Sequence, residues 1–301
     1  MARCSAINMQ RRRFLNATAA TVAAFALSAR GASAAPSLGE QFAALEKHTG
    51  GRLGVFAIDT VTGRGITHRS NERFPMCSTF KLLATAAVLA RVDAGHEKLD
   101  RHVPYTKADL LKYAPVTTNH VGDGFMTVGA LCRAAMEYSD NTAANLLVGT
   151  LGGPKAVTRF ARKIGDPITR LDRLEPIMST AMPGEVRDTT TPAAMARDMR
   201  GLLSGNLLAP ASRGQLISWL VAGRTGGDCI RAGVLKSWRV GDKTGSGDHG
   251  TRNDIAIQWP PKRRPLIITA YLTGAIVSPS DRDAALASVG RIAGGHFARF
   301  F

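Results

Sequence analysis

The chain is poor in the residues from which metal sites and disulfide frameworks are built. It has four cysteines in 301 residues and no Cys-x-x-Cys pair, and its seven histidines form no His-Glu-x-x-His sequence. These absences argue against a zinc site. Cys4 lies close to the N-terminus, and the remaining cysteines, Cys77, Cys132 and Cys229, allow at most one disulfide within the chain.

Acidic residues are also scarce, with 23 Asp and Glu against 39 Lys and Arg, so the formal net charge is +16. A protein of this charge attracts anions, so the excess predicts either attraction to an anionic substrate or envelope surface or only a solubilising surface. The basic residues are scattered, and no cluster of aromatic and basic side chains occurs. The sequence therefore argues against a nucleic-acid partner.

Long hydrophobic runs are absent as well. The Ala-rich stretch near the N-terminus is too short and too poor in large apolar side chains to span a membrane. Three arginines precede it and a small-residue site at Ala34 ends it, which predicts that residues 1–34 are a cleaved export signal. The pair Arg11-Arg12 favours twin-arginine export over the Sec route, and the alternative is a structured N-terminal helix. We predict a periplasmic monomer without a membrane anchor.

Turn residues and hydrophobic periodicity divide the rest of the chain into strand-rich ends and a helical middle. Residues 37–49 predict a helix, and residues 52–59 and 65–68 predict a hairpin. Three short strands and a closing helix are predicted at the C-terminal end. A long stretch with little periodicity, 166–191, follows most of the middle helices, and loops of that length are usually functional or disordered. The pattern predicts an α/β fold whose two ends share one sheet.

Several helices of the middle have recognisable starting residues. Thr106 is predicted to cap a helix over residues 107–113, and Thr127 to cap the next one. Thr142 and Ser212 are predicted to open two more helices.

Ser78 and Lys81 stand three residues apart at the head of an apolar run, 82–90, which predicts a buried helix. On such a helix the two side chains lie one turn apart on the same face. A serine hydroxyl becomes an effective nucleophile when a base takes its proton, and a lysine whose pKa is lowered by burial or by another cation can be that base. Ser-x-x-Lys occurs roughly once per chain of this size by composition alone, so the pair needs support from other motifs.

Three further motifs follow in order along the chain. They are residues 139–141 (Ser-Asp-Asn), Glu175 in the long stretch, and residues 243–245 (Lys-Thr-Gly) on a predicted strand, followed by Ser-Gly. Each motif alone is weak, since Ser-Asp-Asn is an ordinary helix start. A triplet similar to the last one, residues 224–226, follows a helix and leads into a loop, so we set it aside. The order of the motifs, rather than any one of them, is improbable by chance.

With this order of motifs the sequence resembles the class A serine β-lactamases. The resemblance runs from about Ser37 to the end of the chain and includes residues 170–176 (Arg-Leu-Asp-Arg-Leu-Glu-Pro), residues 187–192 and the pair Asn253-Asp254. It implies a five-stranded, mainly antiparallel sheet flanked by helices, an all-α domain, and an active site in the cleft between them. The sheet domain would comprise residues 35–70 and 223–301, and the all-α domain residues 71–222.

The same resemblance implies an enzyme that hydrolyses the β-lactam amide of penicillins and cephalosporins without a metal or other cofactor, and so confers antibiotic resistance. Ser78 would form an acyl-enzyme, and Lys81 would take its proton directly or through a water held with Glu175. Ser139 would pass a proton to the leaving nitrogen. Lys243 would keep the local potential positive and Lys81 partly neutral. Glu175 would then activate the water that releases the ester.

The resemblance also implies an oxyanion hole and a fastened loop. The backbone N–H groups of Ser78 and Ser246 would form the oxyanion hole. Arg173 and Asp188 would form the ion pair that closes the loop 166–191. The alternative for these two residues is a pair of unrelated surface charges.

Five residues are implied in substrate binding. Thr244, Ser246 and Arg252 would bind the substrate carboxylate. Asn141 would hold the acylamide side chain, and Tyr113 would form a wall of the cleft. For Asn141 and Tyr113 a purely structural role stays open.

One substrate-binding position departs from the family. Four residues beyond Glu175 the family most often has an asparagine that shares the deacylating water, and this chain has Ser179. Serine is shorter and leaves space, although its hydroxyl still forms hydrogen bonds. Some relatives with a small residue there act on carbapenems, so Ser179 leads to the hypothesis that this chain does too.

The cysteines depart from the family as well. Subsets of the family pair the positions of Cys77 and Cys132 with second cysteines, where this chain has Gly247 and Thr85. The resemblance therefore implies no family-type disulfide. Free thiols agree with twin-arginine export, which moves proteins already folded in a reducing cytoplasm.

Two other functions would use part of this machinery. A D-Ala-D-Ala peptidase has the same acylation apparatus but lacks a base placed to release the ester, so Glu175 favours the β-lactamase. A secreted penicillin sensor or a basic envelope-binding protein would be acylated, if at all, without turnover. Sensors of this type usually carry a membrane span, and none is visible in the sequence.

Overall fold

The computed structural model describes residues 36–298. Cys4, the arginine pair Arg11-Arg12 and the predicted cleavage site at Ala34 lie outside these residues. Between residues 36 and 298, no helix is both long enough and apolar enough to span a membrane.

The described part of the chain alternates helices with short strands. The helices are α1 (Leu38–Thr49), α2 (Phe80–Asp93), α3 (Thr117–His120), α4 (Val128–Glu137), α5 (Asn141–Leu151), α6 (Pro154–Lys163), α7 (Pro192–Leu203), α8 (Pro210–Val221), α9 (Ile230–Gly233) and α10 (Pro279–Ala298). The strands are β1 (Arg52–Asp59), β2 (Gly65–His68), β3 (Phe74–Pro75), β4 (His102–Pro104), β5 (Phe125–Thr127), β6 (Thr189–Thr190), β7 (Arg239–Gly247), β8 (Thr251–Trp259) and β9 (Leu266–Thr273).

Five strands from the two ends of the chain form one antiparallel sheet in the order β2-β1-β9-β8-β7. The predicted five-stranded sheet that joins both ends is confirmed. The register places Val55 opposite Ala270, and both pack with Phe42 of α1 and Leu286 of α10 in one apolar cluster. Because alternate side chains point to opposite faces, the other face of the sheet is free to pack against α7 and α8.

Close packing on that second face requires a glycine in β1. A Cβ atom at Gly54 would lie 2.4 Å from the Phe74 ring and 2.9 Å from Pro192 at the start of α7. Any side chain there would push α7 away from the sheet.

The helix α2 lies in the middle of the fold, as its all-round apolar sequence predicts. Each residue from Phe80 to Leu89 is buried, and α2 contacts α4, α5, α6 and α8. Lys81 is therefore enclosed by the core. The division into a sheet domain and an all-α domain, with the bounds given above, stays a prediction.

One predicted helix in the middle of the chain is wrong. Residues 107–113 form only a single 3-10 turn, Lys107–Asp109, which Thr106 caps as predicted. The chain then extends because its backbone groups bind elsewhere. Leu111 N donates to Thr142 Oγ1 at 2.8 Å, and Tyr113 O accepts from Asn141 N at 3.0 Å.

Two predicted helix starts are also wrong. The N-cap of α5 is Asp140, whose side chain accepts from Ala143 N, because the Thr142 hydroxyl is taken by the neighbouring segment. Helix α8 begins at Pro210 rather than after Ser212, whose hydroxyl donates to Asp93 at 2.5 Å. In both cases a tertiary hydrogen bond overrides the local capping preference.

Candidate active site

Ser78 lies in a 3-10 turn, Cys77–Thr79, immediately before α2. Cys77 has φ of 45°, so the chain enters the turn with a sharp bend. Asn253 of β8 fastens the turn to the sheet, since its Nδ2 donates to Met76 O at 3.1 Å. Ser78 is only 8% exposed, and its hydroxyl points into the cleft described below.

Lys81, one turn further on, is completely buried. Its Nζ donates to Asn141 Oδ1 at 2.6 Å, to Ser139 O at 2.7 Å and to Ser139 Oγ at 3.3 Å. Glu175 Oε1 lies 4.0 Å away. Burial lowers the pKa of Lys81 to about 8, although the negative charge of Glu175 opposes this shift.

Ser139 joins Lys81 to a second buried lysine. It has φ of 59° in the segment between α4 and α5, and Lys243 Nζ donates to its Oγ at 2.9 Å. Lys243 also donates to Thr244 O at 2.9 Å. Burial and, next, the charge of Lys81 lower the pKa of Lys243 to about 7. One hydroxyl thus lies between the amino groups of two lysines, both of which lose a proton more easily than an exposed lysine does.

Glu175 reaches Ser78 from the loop 166–191. Its Oε1 accepts from Ser78 Oγ at 3.3 Å, and its Oε2 accepts from Ser179 Oγ at 2.8 Å. Asn145 of α5 holds its backbone in both directions, donating to Glu175 O at 2.9 Å and accepting from Glu175 N at 3.0 Å. The carboxylate is therefore held at the nucleophile by hydrogen bonds to both its side chain and its backbone.

The ends of this loop are held by Asp188, which is completely buried. Its Oδ2 lies 2.5 Å from Arg173 Nε. Its Oδ1 accepts from the backbone N–H groups of Asp172 and Arg173 at 2.7 and 2.9 Å. The structure thus brings Arg173 and Asp188 together as an ion pair.

The other wall of the site is β7, the edge strand of the sheet. Thr244 Oγ1 lies 2.6 Å from Thr225 Oγ1, and Ser246 Oγ accepts from Arg252 Nη1 at 2.8 Å. Arg252 Nε lies 2.5 Å from Asp283 Oδ1 on α10, so its guanidinium is oriented from behind. Hydroxyl groups and one cation therefore line this wall, and such groups bind a carboxylate.

These groups surround a cleft of about 530 Å³. Tyr113 is half-exposed at its mouth and donates from its hydroxyl to Tyr138 O at 3.3 Å. Lys81 and Lys243 lie buried beneath it. The cleft is lined by Ser78, Tyr113, Ser139, Asn141, Glu175, Pro176, Ser179, Thr225, Thr244, Ser246, Gly247, Asp248 and Arg252.

Comparison with known proteins shows to which family a chain with this site belongs. Residues 37–297 match the Beta-lactamase enzyme family. Beta-lactamase L2 of Stenotrophomonas maltophilia is 50% identical over 298 residues, covering 95% of this chain and 98% of that protein. Beta-lactamase Toho-1 of Escherichia coli is 49% identical, covering 86% of this chain and 88% of that protein. A solved class A β-lactamase, described as the last common ancestor of Gram-negative bacteria, superposes with a TM-score of 0.86 at 60% identity, covering 87% of this chain and all of that one.

The chain belongs to the class A β-lactamase family. Class A β-lactamases are serine enzymes without a metal. Among residues 36–298, His, Cys, Asp and Glu side chains form no group of three or more that could hold a metal ion.

Three residues of this class A β-lactamase site could not be identified from the sequence. Thr225 belongs to the triplet 224–226, which does not follow a strand, yet its hydroxyl lies 2.6 Å from Thr244 Oγ1 on the same wall of the cleft. Asn145 follows Asn141 by four residues on α5, so helical spacing places both on one face. Asp248 carries no local signal, because only the pairing of β7 with β8 brings it to the site. Asn253 belongs to the pair Asn253-Asp254, on which the resemblance to the family also rests.

Ser179 and the cysteines are the positions at which the sequence departs from the family pattern, and the structure shows their surroundings. Ser179, predicted to bind substrate, donates to Glu175 and lines the cleft at the same time. Cys77 is a buried free thiol, as are Cys132 and Cys229. A Cβ atom at Gly247 would lie 2.6 Å from Cys77 Sγ and 2.5 Å from Ser179 O, so a larger residue there would displace the loop.

Proposed function

We propose that this chain hydrolyses the β-lactam amide of penicillins and cephalosporins through an acyl-enzyme on Ser78, which a water activated by Glu175 then releases. The observation that carries the proposal is the 3.3 Å hydrogen bond from Ser78 Oγ to Glu175 Oε1. It places the nucleophile and a base for water in the same small volume. The names of the relatives, β-lactamases L2 and Toho-1, agree with it.

Acylation begins when Ser78 Oγ attacks the lactam carbonyl carbon and gives up its proton. At neutral pH Lys81, with a pKa of about 8, is largely an ammonium, whereas Glu175 already accepts from the serine. Glu175 is therefore the acceptor supported at neutral pH, and Lys81 becomes a competent base as the pH rises past about 8. As the carbonyl–nitrogen bond breaks, Ser139 donates a proton to nitrogen and is reprotonated by Lys81 or Lys243, both within hydrogen-bond distance.

The negative charge on the carbonyl oxygen would be stabilised by the backbone N–H groups of Ser78 and Ser246. Each such donor contributes about 2.7–4 kcal/mol to lowering the barrier. The proposal is supported by the contact between the turn that carries Ser78 and the strand β7 that carries Ser246. The N-terminus of α2 adds a favourable dipole.

Substrate binding would use the wall of hydroxyl groups. Thr244, Ser246 and Arg252 would bind the substrate carboxylate. Arg252 Nη1 already donates to Ser246 Oγ, so the cation and the hydroxyl lie side by side. The amide oxygen of Asn141 accepts a hydrogen bond from Lys81, so the NH₂ group of Asn141 remains to donate to the acylamide carbonyl. Tyr113, half-exposed at the mouth of the cleft, would cover the bound ring.

Release of the ester would depend on the loop 166–191. Glu175 first passes the proton gained in acylation to Lys81, which lies 4.0 Å away and is neutral once it has reprotonated Ser139. Glu175 then takes a proton from water, the resulting hydroxide attacks the ester carbonyl, and Ser78 Oγ leaves with the proton that Glu175 returns to it. Ser179 orients the carboxylate from its other oxygen. The Arg173–Asp188 ion pair would pin the loop, and Ser179, as a small residue, would leave room for carbapenems.

We further propose that the protein is exported through the twin-arginine route, cleaved near Ala34, and acts as a periplasmic monomer without a membrane anchor. The support is the arginine pair Arg11-Arg12 before an Ala-rich apolar stretch.

The test of the function is a count of product per enzyme. The purified mature protein is mixed with a chromogenic cephalosporin, and product is followed over time. We expect many turnovers per enzyme. One equivalent of product with a stable acyl adduct would identify a peptidase or a sensor, and no product would identify a non-catalytic binder.

A further inference from the structure

A second carboxylic acid is buried near the beginning of the loop 166–191, away from the cleft. Asp198 lies on α7, which packs against the sheet, and is only 4% exposed. Its Oδ2 is buried, and no N–H or O–H donor of residues 36–298 is hydrogen-bonded to it. A buried acceptor without a donor is costly, so the side chain needs an explanation.

The group that faces Asp198 is another carboxyl group. Asp166, the first residue of the loop, is also 4% exposed and lies in hydrogen-bonding contact with Asp198. Its own oxygens accept from the backbone, with Ile168 N at 2.7 Å and Thr169 N at 3.1 and 3.2 Å. Asp166 thus acts as a carboxylate that turns the chain at the base of the loop.

An ionised carboxyl group can accept hydrogen bonds but cannot donate one. Two carboxyl groups in hydrogen-bonding contact must therefore share a proton. We propose that Asp198 is a positioning residue. Its carboxyl group keeps this proton and donates a hydrogen bond to Asp166, which fastens α7 to the base of the loop that carries Glu175. The effect on catalysis rests on the role proposed above for Glu175.

The surrounding charges are consistent with this state. Burial, and then the charge of Asp166, raise the pKa of Asp198 to about 9. The cations nearby, Arg162 on α6 and Arg197 on α7, oppose the shift. Arg162 Nη1 donates to the backbone oxygens of Asp166 and Thr169, at 2.6 and 2.7 Å, rather than neutralising the carboxyl pair directly.

From the sheet side, the facing titratable group is Tyr271 of β9. Burial raises its pKa above the usual value, so it is a neutral phenol throughout the range considered. Its hydroxyl lies 3.3 Å from Thr79 Oγ1, next to the nucleophile. Tyr271 therefore neither gains nor loses a proton in this pH range and adds no pH dependence of its own.

The shared proton has a measurable consequence for stability. Asp198 has a raised pKa in the folded state, so folding takes up a proton between the unfolded value near 3.8 and the folded value of about 9. Its contribution to stability is therefore fully present at low pH and is lost as the pH rises through this window. Replacing the acid by an amide, which donates without needing a proton, removes this dependence.

The experiment compares wild type with Asp198→Asn in denaturant unfolding from pH 5 to pH 10. We expect the ratio of the two unfolding constants to change by about tenfold per pH unit in favour of the variant, and to level off above about pH 9. A ratio that stays constant across this range would overturn the proposal, since Asp198 would then be ionised in both states. The measurement does not involve substrate, so it is independent of the proposed function.

Two further variants complete the design. Asp166→Asn keeps an oxygen for Ile168 N and Thr169 N and supplies an N–H donor to Asp198, so it should show the same pH trend and serves if the first variant does not fold. Asp93→Asn is the matched control. Asp93 is an exposed carboxylate that accepts from Ala209 N and Ser212 Oγ, and its ratio should stay flat.

The positioning role is tested by the lifetime of the acyl-enzyme. Asp198→Leu keeps the branched shape of the side chain and removes the donor, so it should slow release of the ester by about tenfold or more and slow acylation less, because Lys81 remains as a second base for acylation. Asp198→Asn should restore release. If the leucine variant slows acylation and release equally, Asp198 supports the whole structure rather than the loop.

Discussion

The residues proposed to acylate the substrate and those proposed to release it are held in different ways. Ser78, Lys81 and Lys243 lie on or beside α2 and β7, whose positions are fixed by the apolar core and the sheet. Glu175 lies on a loop whose position is fixed by polar contacts, from Asn145, Ser179 and the Asp188 ion pair. The difference teaches that acylation keeps one base, Lys81, whose position packing fixes, whereas release of the ester depends entirely on a carboxylate held by a few hydrogen bonds that single substitutions can remove.

Removing the nucleophile is expected to have the largest effect and to abolish both steps. Ser78→Ala leaves no atom to form the ester, so hydrolysis should fall by about 10⁵-fold or more. Steady-state hydrolysis of a penicillin measures the loss, and an unchanged unfolding transition shows that the fold is intact. A residual rate within tenfold of wild type would mean that Ser78 is not the nucleophile.

Breaking the ion pair should separate the two regions. Arg173→Ala leaves the buried Asp188 carboxylate without its cation and should destabilise the protein by about 3 kcal/mol. We expect release of the ester to slow more than acylation, because acylation keeps Lys81 as a second base whose position does not depend on the loop. Denaturant unfolding and single-turnover kinetics check the two parts. Equal losses in both steps would remove the distinction between the regions.

The pH dependence of acylation tests which base acts. In Glu175→Gln the only base left for Ser78 is Lys81, whose pKa is about 8. That value belongs to the wild type, where the charge of Glu175 holds the pKa of Lys81 up, so the pKa of Lys81 is lower in the variant. Lys81 must lose its proton to act, so acylation of this variant should rise about tenfold per pH unit and level off below about pH 8. Wild type should show no such rise. A wild-type profile identical to that of the variant would assign acylation to Lys81.

The smallest expected effect concerns substrate range. Ser179→Asn replaces the hydroxyl that donates to Glu175 by a longer amide. It should change steady-state imipenem hydrolysis by about threefold or more, with less change for a penicillin. Equal imipenem rates in wild type and variant would remove Ser179 as a determinant of carbapenem hydrolysis.

The parts of the fold governed by local pattern were predictable. The strands β1 and β2 and the buried helix α2 follow directly from periodicity and turn residues. The segment before α3 was not predictable, because the backbone groups of Leu111 and Tyr113 form hydrogen bonds with residues of α5 rather than within a helix of their own. Such a hydrogen bond joins residues about 30 positions apart, and no local preference records it.

The site shows the same division. The residues inside motifs were identified because the motifs occur in a fixed order. Thr225 and Asp198 were not identified, since their significance comes only from the groups that face them in three dimensions. A buried aspartate on a helix reads as an ordinary surface acid until the opposite carboxyl group is seen.

The central claim is that release of the ester depends on Glu175 of the loop alone, whereas acylation keeps a second base, Lys81, on the packed elements. Intact mass measurement of Glu175→Gln after brief mixing with a penicillin tests it most directly, with wild type as the control. We predict that the variant gains the full mass of the substrate and keeps it, while wild type shows no lasting adduct. A variant that remains unmodified, or that clears the adduct as fast as wild type, would contradict this claim.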